Sequence, residues 1–506
     1  MAWNLSEFFK DKKECLKELN NLNLIYDRLV VFKDSDFSDK KNLKKFLMFY
    51  DKYKKMIYEF NCYICLIEEM DYHDNDLIKI KSSFNGFVSK IEDVIKDIII
   101  KYGSILDSIQ INESDYKKLN YLFDCIESSN ENESDKYSHI FLSLLNDVNS
   151  SKVDPHLFRH TFLELINNYY NSLCSSLCGS YNDYVFSYYD EISKKDYQKL
   201  ASIIQNNSSI NLDYFACVLN YNFKKLKMDY KTAQELAYYS LSLFGSEYTE
   251  FLSYILNSDS IDHDKGKYKS RGNYTYGFKN HRAFAKIDYD NELPSALSLV
   301  HELGHMVHHN CKLKYHDKTI GCYGVSSELF SLTNELMLGH NLLKHANSLE
   351  DKITISSELI NLYYVNLFEA MCSVDLSLSI GNYIDKNSAI DLKAMNSLVK
   401  RLENNYNVLS YSDRWINDNN FDMINDIYYV YGLIGANYVW KSVSDNSFSS
   451  IDYIEALKGG NGLDVYRKLG CNPLDSDVAN SCFAEYKRLV NNTKDLIYEK
   501  ELKKKR

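Results

Sequence analysis

The sequence predicts a mainly α-helical protein with one small β-hairpin. Three observations carry that expectation. Helix breakers are scarce, with 3 prolines and 18 glycines in 506 residues, against averages of about 5% and 7%. Apolar residues recur every three or four positions through most of the chain, the spacing of a helix face. Period-two alternation stands out in one place only, between residues 270 and 290.

From Trp3 to about residue 195 the pattern is helical, as in Leu16, Leu19, Leu22 and Leu24-Ile25. Polar patches near 33–40, 127–137 and 147–155 read as turns. The last ends in Asp154-Pro155, a helix start, because the fixed φ of proline suits a first turn. A second helical stretch covers 196–257, includes Tyr230 to Leu243, and closes in Asn257-Ser258-Asp259-Ser260. Gly272-Asn273-Tyr274-Thr275-Tyr276-Gly277 and Arg282-Ala283-Phe284-Ala285-Lys286-Ile287-Asp288-Tyr289 then alternate as the two arms of a hairpin. Pro294 and Ser295 open the next helix, with serine able to cap free N–H groups.

Composition narrows the function classes. With 45% hydrophobic and 25% charged residues the chain matches an ordinary soluble globular protein. A net charge of −11 argues against a general nucleic-acid or anionic-membrane binder, since either needs a basic face. Lys503, Lys504, Lys505 and Arg506 read as a solvated tail. The start, Met1-Ala2-Trp3-Asn4-Leu5-Ser6-Glu7, shows no basic segment followed by an apolar core, so a cytoplasmic location is expected. The longest uncharged aromatic and aliphatic run, Tyr428 to Trp440, is shorter than the roughly 20 residues a membrane span needs. The 12 cysteines are scattered and read as reduced thiols. Cys62 and Cys65 form a lone CxxC without the second half of a zinc knuckle, and core packing is the expectation for them and for Cys174 and Cys178.

The chemistry concentrates in Val300-His301-Glu302-Leu303-Gly304-His305-Met306-Val307-His308-His309. Residues four apart share one helix face, so His301 and His305 can aim both imidazoles at one ion. Glu302 sits one residue round, where its carboxylate reaches a water in an open coordination position rather than the metal itself. A third ligand is available in Ser326-Ser327-Glu328-Leu329-Phe330, because the loop after the first helix is long enough for a second to fold back. Two imidazoles and one carboxylate around Zn²⁺, one per chain, leave a vertex free for water, the catalytic rather than the structural arrangement. His308 lies roughly 10 Å along the axis from His301, too far for the same ion, and is expected to support or pack against the site. Glu335, two turns beyond Glu328, can orient a ligand imidazole or be a surface carboxylate.

At these residues the chain resembles the oligoendopeptidase F branch of the thimet oligopeptidase family of zinc peptidases. The matching parts keep their order: Trp3-Asn4-Leu5-Ser6-Glu7-Phe8-Phe9, Tyr230-Lys231-Thr232-Ala233, Leu243-Phe244-Gly245-Ser246-Glu247-Tyr248, Ile261-Asp262, Arg271-Gly272-Asn273-Tyr274 and Ile287-Asp288-Tyr289-Asp290. The His301–His308 segment and Glu328 with Ser331, Asn334 and Glu335 complete the likeness. The resemblance implies a clam-like, two-lobed helical metallopeptidase with a central channel and a small hairpin or sheet beside the metal helix. It implies an N-terminal lobe at 1–195 and a catalytic zinc-peptidase domain at 196–506. It also implies His301, His305 and Glu328 as zinc ligands and Glu302 as the catalytic carboxylate. The hairpin is similar to the family's peptide-binding edge, where an extended substrate adds as a strand and Gly272 and Tyr274 contact it.

The sequence departs from the family near the C-terminus, where a histidine and tyrosines hydrogen-bond the oxyanion. Here the last histidine is His345, and the corresponding stretch offers Tyr428, Tyr429, Tyr431 and Tyr438 around Gly432 and Gly435. Any of the four is a candidate donor, with Tyr428 and Tyr438 foremost. Pro294-Ser295 also replaces the family's usual acidic residues at the start of the zinc helix. The expected activity is zinc-dependent hydrolysis of internal bonds in short unstructured peptides by a monomer. The rival reading, prompted by the missing histidine, is a zinc-retaining peptide-binding protein with little turnover.

Overall fold

The computed structural model describes residues 3–35, 39–106, 155–176, 180–181, 185–186, 192–218, 221–267, 269, 271–315, 324–409, 423–459 and 462–505. The turns expected at 127–137 and across 147–154, together with Cys178 and the side chain of Cys174, lie outside these residues. The chain is mainly helical, and it divides into two compact units, one of Met1–Glu131 with Asp262–Gly272, the other of Asn132–Ile261 with Asn273–Arg506.

In the first unit three long helices, α1 (Lys12–Phe32), α2 (Lys40–Met70) and α3 (Asn75–Leu106), pack on one another. Asp11 caps α1 by accepting from the Glu14 N–H, and Asp39 caps α2 by accepting from the Lys41 N–H, each satisfying an orphan donor of a first turn. The buried stripe of α1 is Cys15, Leu19, Leu22, Ile25, Leu29 and Phe32. Leu16 and Leu24, which share the apolar recurrence in sequence, face solvent. Cys62 is buried and Cys65 half-buried, both as free thiols. Burial pushes the Cys62 thiol up to about 12 and the Cys65 thiol up to about 11, which keeps them protonated and inert.

The second unit continues with α4 (Pro155–Ser176), α5 (Lys194–Asn207), α6 (Ser209–Val218), α7 (Tyr230–Leu241) and α8 (Ser246–Leu256). A three-stranded sheet follows, of β1 (Ile261–Asp262), β2 (Tyr274–Tyr276) and β3 (Phe284–Lys286), in the order β1-β3-β2. The hairpin register pairs Tyr274 with Lys286, Thr275 with Ala285 and Tyr276 with Phe284. All three residues of β3 are buried, so the alternation of its sequence does not separate a wet from a dry face. β1 adds a short strand that the alternation does not announce, and the Ala285 N–H donates to the Ser260 carbonyl beside it at 2.9 Å.

Then come α9 (Leu293–Tyr315) and α10 (Ser327–His345), which run antiparallel and are buried along much of their length. Pro294 stands in the first turn of α9. Ser295 turns back on the preceding loop, its hydroxyl donating to Asp290 Oδ1 at 2.7 Å and accepting from the backbone N–H groups of Asp290 and Glu292 at 3.4 Å. α11 (Leu349–Tyr363) passes through a π-helical turn, Tyr364–Glu369, into α12 (Ala370–Asn387). α13 (Leu392–Tyr406), α14 (Ile427–Ser444), α15 (Ser450–Leu457), α16 (Leu463–Leu469) and α17 (Ser476–Lys505) complete the unit. α10 is the central element, flanked by α9 on one side and α14 on the other. Among the described residues no helix is long and apolar enough to cross a membrane.

Candidate metal centre

Two close approaches set α10 between its neighbours. A Cβ on Gly304 of α9 would lie 2.6 Å from the Ser331 Cα, and one on Gly432 of α14 would lie 2.6 Å from the Glu328 Cβ. Only a missing side chain permits either contact. Asn334 ties the first pair together, donating to the Val300 carbonyl at 3.0 Å while its own side-chain oxygen accepts from the buried Tyr248 hydroxyl at 2.8 Å. The result is that one turn of α9 is clamped against the first turns of α10.

Into that clamp project His301, His305 and Glu328. The His301 Nε2 and His305 Nε2 atoms are 3.1 Å apart. Glu328 Oε2 lies 3.3 Å from the first and 3.4 Å from the second. A tetrahedral zinc with bonds of about 2.0–2.2 Å needs its ligand atoms about 3.3–3.6 Å apart; the two sides at Glu328 have that length and the side between the imidazoles, 3.1 Å, is slightly shorter. Among the described residues these three form the one group of three or more such side chains that could hold a metal.

The imidazoles and carboxylates of this site are electrostatically linked. Burial works against charging His301, yet its hydrogen bonds to Glu328 and Glu335 hold the ring proton well above the ordinary imidazole range. Burial likewise opposes ionising Glu328, and His305 and His301 nevertheless keep its carboxyl well below the usual range. A carboxylate kept charged in a buried place beside two imidazole nitrogens is a donor set that suits a divalent ion, whose binding would displace the ring proton. Ser331 donates to the same Glu328 Oε2 at 2.8 Å and fixes the carboxylate.

Glu335 Oε1 stands 2.7 Å from His301 Nδ1, a contact that leaves Nε2 facing Glu328 and His305 and would present it to a metal. Burial raises the Glu335 pKa despite that bond. Glu302 is buried on the adjoining face of α9, and its Oε2 accepts from the Thr275 hydroxyl at 2.6 Å. His308 is apart from this group: its ring is fully buried and packs on Phe330 with centroids 4.6 Å apart. Burial drives its pKa well down, so it is neutral.

The tyrosines of α14 separate clearly. Tyr429 stacks along the His301 ring with centroids 6.4 Å apart. The negative charge of Glu328, then burial, holds its hydroxyl well above the usual phenol range. Tyr431 is fully buried against Tyr466. Tyr438 lies two to three turns further along α14, where its hydroxyl is 3.6 Å from the place a Cβ on Gly470 would take. Tyr428 is half-buried beside Tyr429 and packs against the core. Gly272 lies just before β2 with φ of 114°, a conformation open to glycine, and Tyr274 on β2 is exposed. Sequence reasoning missed Thr275 and the two contact glycines, and it did not single out Tyr429. The spacing of Tyr429 to Gly432, one helical turn, is the signal that places both on the face toward Glu328.

No family model matches the chain. It is 24% identical over 299 residues to the chromosomal oligoendopeptidase F of Lactococcus lactis subsp. cremoris, covering 57% of this chain and 48% of that protein. It is also 24% identical over 269 residues to the group B oligopeptidase PepB of Streptococcus agalactiae, covering 51% and 45%. The chain therefore spans about half the length of the curated relatives it matches. In fold it is similar to a candidate peptidase from Chlamydophila abortus, with a TM-score of 0.71 at 18% identity over 98% of each chain. The oligoendopeptidase-F of Enterococcus faecium gives 0.60 at 14% identity over 96% of this chain and 99% of the other. The chain resembles oligoendopeptidase F in sequence and shares its fold.

Proposed function

We propose that the chain, by its likeness to oligoendopeptidase F, is a zinc-dependent peptidase that hydrolyses internal bonds of short unstructured peptides. The observation that carries this reading is the triangle of His301, His305 and Glu328, with sides of 3.1, 3.3 and 3.4 Å, beside a buried carboxylate that is not part of it. Zinc held there supplies Lewis acidity, lowering the pKa of water and polarising a carbonyl. Every other step falls to the protein. Glu302 takes the proton of the attacking water and passes it to the leaving amine, the general base and acid role. Glu335 keeps His301 in the tautomer that offers Nε2.

Tyr429 is the proposed donor to the oxyanion. Its position beside His301 and its strongly held proton fit a group that donates rather than ionises. The buried surroundings of Tyr431 favour packing for that residue, and Tyr428 and Tyr438 become secondary candidates. Loss of one such donor costs about 10²–10³ in turnover. The absent C-terminal histidine makes Tyr429 correspondingly more important here. We assign catalysis to residues 196–506, with the exposed Tyr274 and the φ-positive Gly272 bordering the strand edge where an extended peptide adds. A cytoplasmic monomer acting on peptides, with no nucleic-acid or membrane partner, completes the proposal.

The test is hydrolysis of a quenched fluorescent peptide with and without a chelator. The native chain should cleave it, the chelator should stop it and added zinc should restore it. Glu302→Gln should lower turnover by about 10²–10⁴-fold. Tight binding of the peptide without cleavage by the native chain would instead favour a zinc-retaining peptide-binding protein.

A further inference from the structure

We propose that Thr275 is a positioning residue that fixes the Glu302 carboxylate and ties it to the strand on which the peptide adds. The inference rests on the peptidase reading above and goes beyond it, since it gives the hairpin a part in the chemistry as well as in binding.

Thr275 is the middle residue of β2, and side chains alternate across a strand. Tyr274 is exposed, whereas Thr275 is half-buried with its hydroxyl on α9. That hydroxyl lies 2.6 Å from Glu302 Oε2 and 3.3 Å from the Glu302 carbonyl oxygen. It has one proton to donate, and the shorter contact takes it, in the range of a charge-assisted O–H···O⁻ bond. One carboxylate oxygen is thereby pinned, and the other is left to meet the water. A carboxylate with two free torsions at its end would otherwise sample several orientations.

The hairpin is fastened to the metal helix at a second point, where the Ala283 N–H donates to Asn310 Oδ1 at 3.0 Å. The two bonds span the segment Glu302 to Asn310, so hairpin and helix are one mechanical unit over the turns that carry both imidazoles. β2 is the outer strand of the sheet. A peptide backbone that pairs with it is registered against Thr275, and through Thr275 against the base. The threonine methyl also limits χ1 of its own side chain, which keeps the hydroxyl on Glu302 with or without substrate.

The experiment compares kcat and KM for Thr275→Val and Thr275→Ser with the native chain, using one fluorescent peptide and zinc-loaded protein. Valine keeps the shape and removes the donor. It should lower kcat about 10- to 100-fold, the scale of a misplacement of about 1 Å, with KM within about twofold. Serine should restore most of kcat, because it returns the hydroxyl. Thermal unfolding and bound zinc, measured on the same samples, should match the native chain. Thr275→Ala, which is smaller, repeats the comparison should valine not fit. Native kcat in both Thr275→Val and Thr275→Ala would overturn this proposal alone. So would a fall in kcat that serine does not repair, a rise in KM with kcat unchanged, or loss of zinc in the valine and alanine variants. No turnover by the native chain under any zinc condition would overturn the peptidase reading and this proposal with it.

Discussion

Glu328 and Asp375 are both carboxylates held in the second unit by hydrogen-bonding side chains, and their pKa values are pushed in opposite directions. Glu328 faces two imidazoles and stays charged, well below the usual carboxylate range against the pull of burial. Asp375 of α12 accepts from the hydroxyls of Tyr197 and Tyr406. There burial outweighs the Tyr406 bond and the Arg401 charge, and the pKa rises to about 6. At Asp375 the Tyr406 bond and the Arg401 charge offset burial only in part, whereas at Glu328 the two imidazoles more than offset it. The first pocket thus keeps its carboxylate charged, and the second is a latch joining α5, α12 and α13 whose carboxylate is harder to ionise.

The largest effect that can break this comparison is a pH dependence of stability. Asp375 holds its proton more tightly in the folded chain, with a pKa of about 6, than in the unfolded one, at about 3.9. Below about pH 4 both states are protonated and no penalty exists. Between about pH 4 and pH 6 the unfolded chain loses this proton while the folded chain keeps it, so folding stability falls by an amount on the order of 2–3 kcal/mol across that window and levels off above it. Asp375→Asn should abolish that component. Urea midpoints of the two proteins at pH 4.5 and 7.5 check this, and an equal fall in both would remove the contrast.

Next in size is the steric clamp on Glu328. In Gly432→Ala a methyl group would meet the Glu328 Cβ at 2.6 Å. Overpacking of this kind costs about 1–3 kcal/mol. Denaturant midpoints should fall accordingly, and zinc affinity should fall with them, because the strained atom belongs to a ligand. A variant of native stability and native zinc affinity would show that α14 does not set the carboxylate.

Smaller and more selective is Glu335→Gln. It keeps the shape beside His301 Nδ1 and removes the charge that orients the ring. Second-sphere changes of this type weaken metal binding about 10- to 100-fold, which competition with a chromogenic chelator measures. The fold should be intact, since the glutamine oxygen can still accept from the same nitrogen.

The sequence makes local parts of this site legible and hides the distant ones. His301 and His305 are four apart on one helix, and Glu328 follows after a loop long enough to return, so each relation lies within about thirty residues. The hairpin is legible because it joins neighbours in the chain. Periodicity has no access to the Asp375 latch, whose partner Tyr197 is 178 residues away. It equally misses Gly432, whose missing side chain matters only once α14 has packed on Glu328. The surroundings of the tyrosines are of the same kind, since nothing in their spacing says that Tyr429 packs along His301 while Tyr431 packs on Tyr466. β1 has two residues, too few for any alternation to appear. Leu16 and Leu24 look like core by recurrence and face water because the stripe of α1 passes through Cys15 and Leu19 instead.

The central claim is that Glu328 and the two imidazoles share one ion while Glu302 remains outside it. Metal analysis of three purified proteins tests this directly. The native chain and Glu302→Gln should each carry one zinc per chain, and Glu328→Ala should carry almost none. A native chain without zinc after loading, or a Glu328→Ala variant that keeps it, would contradict the account.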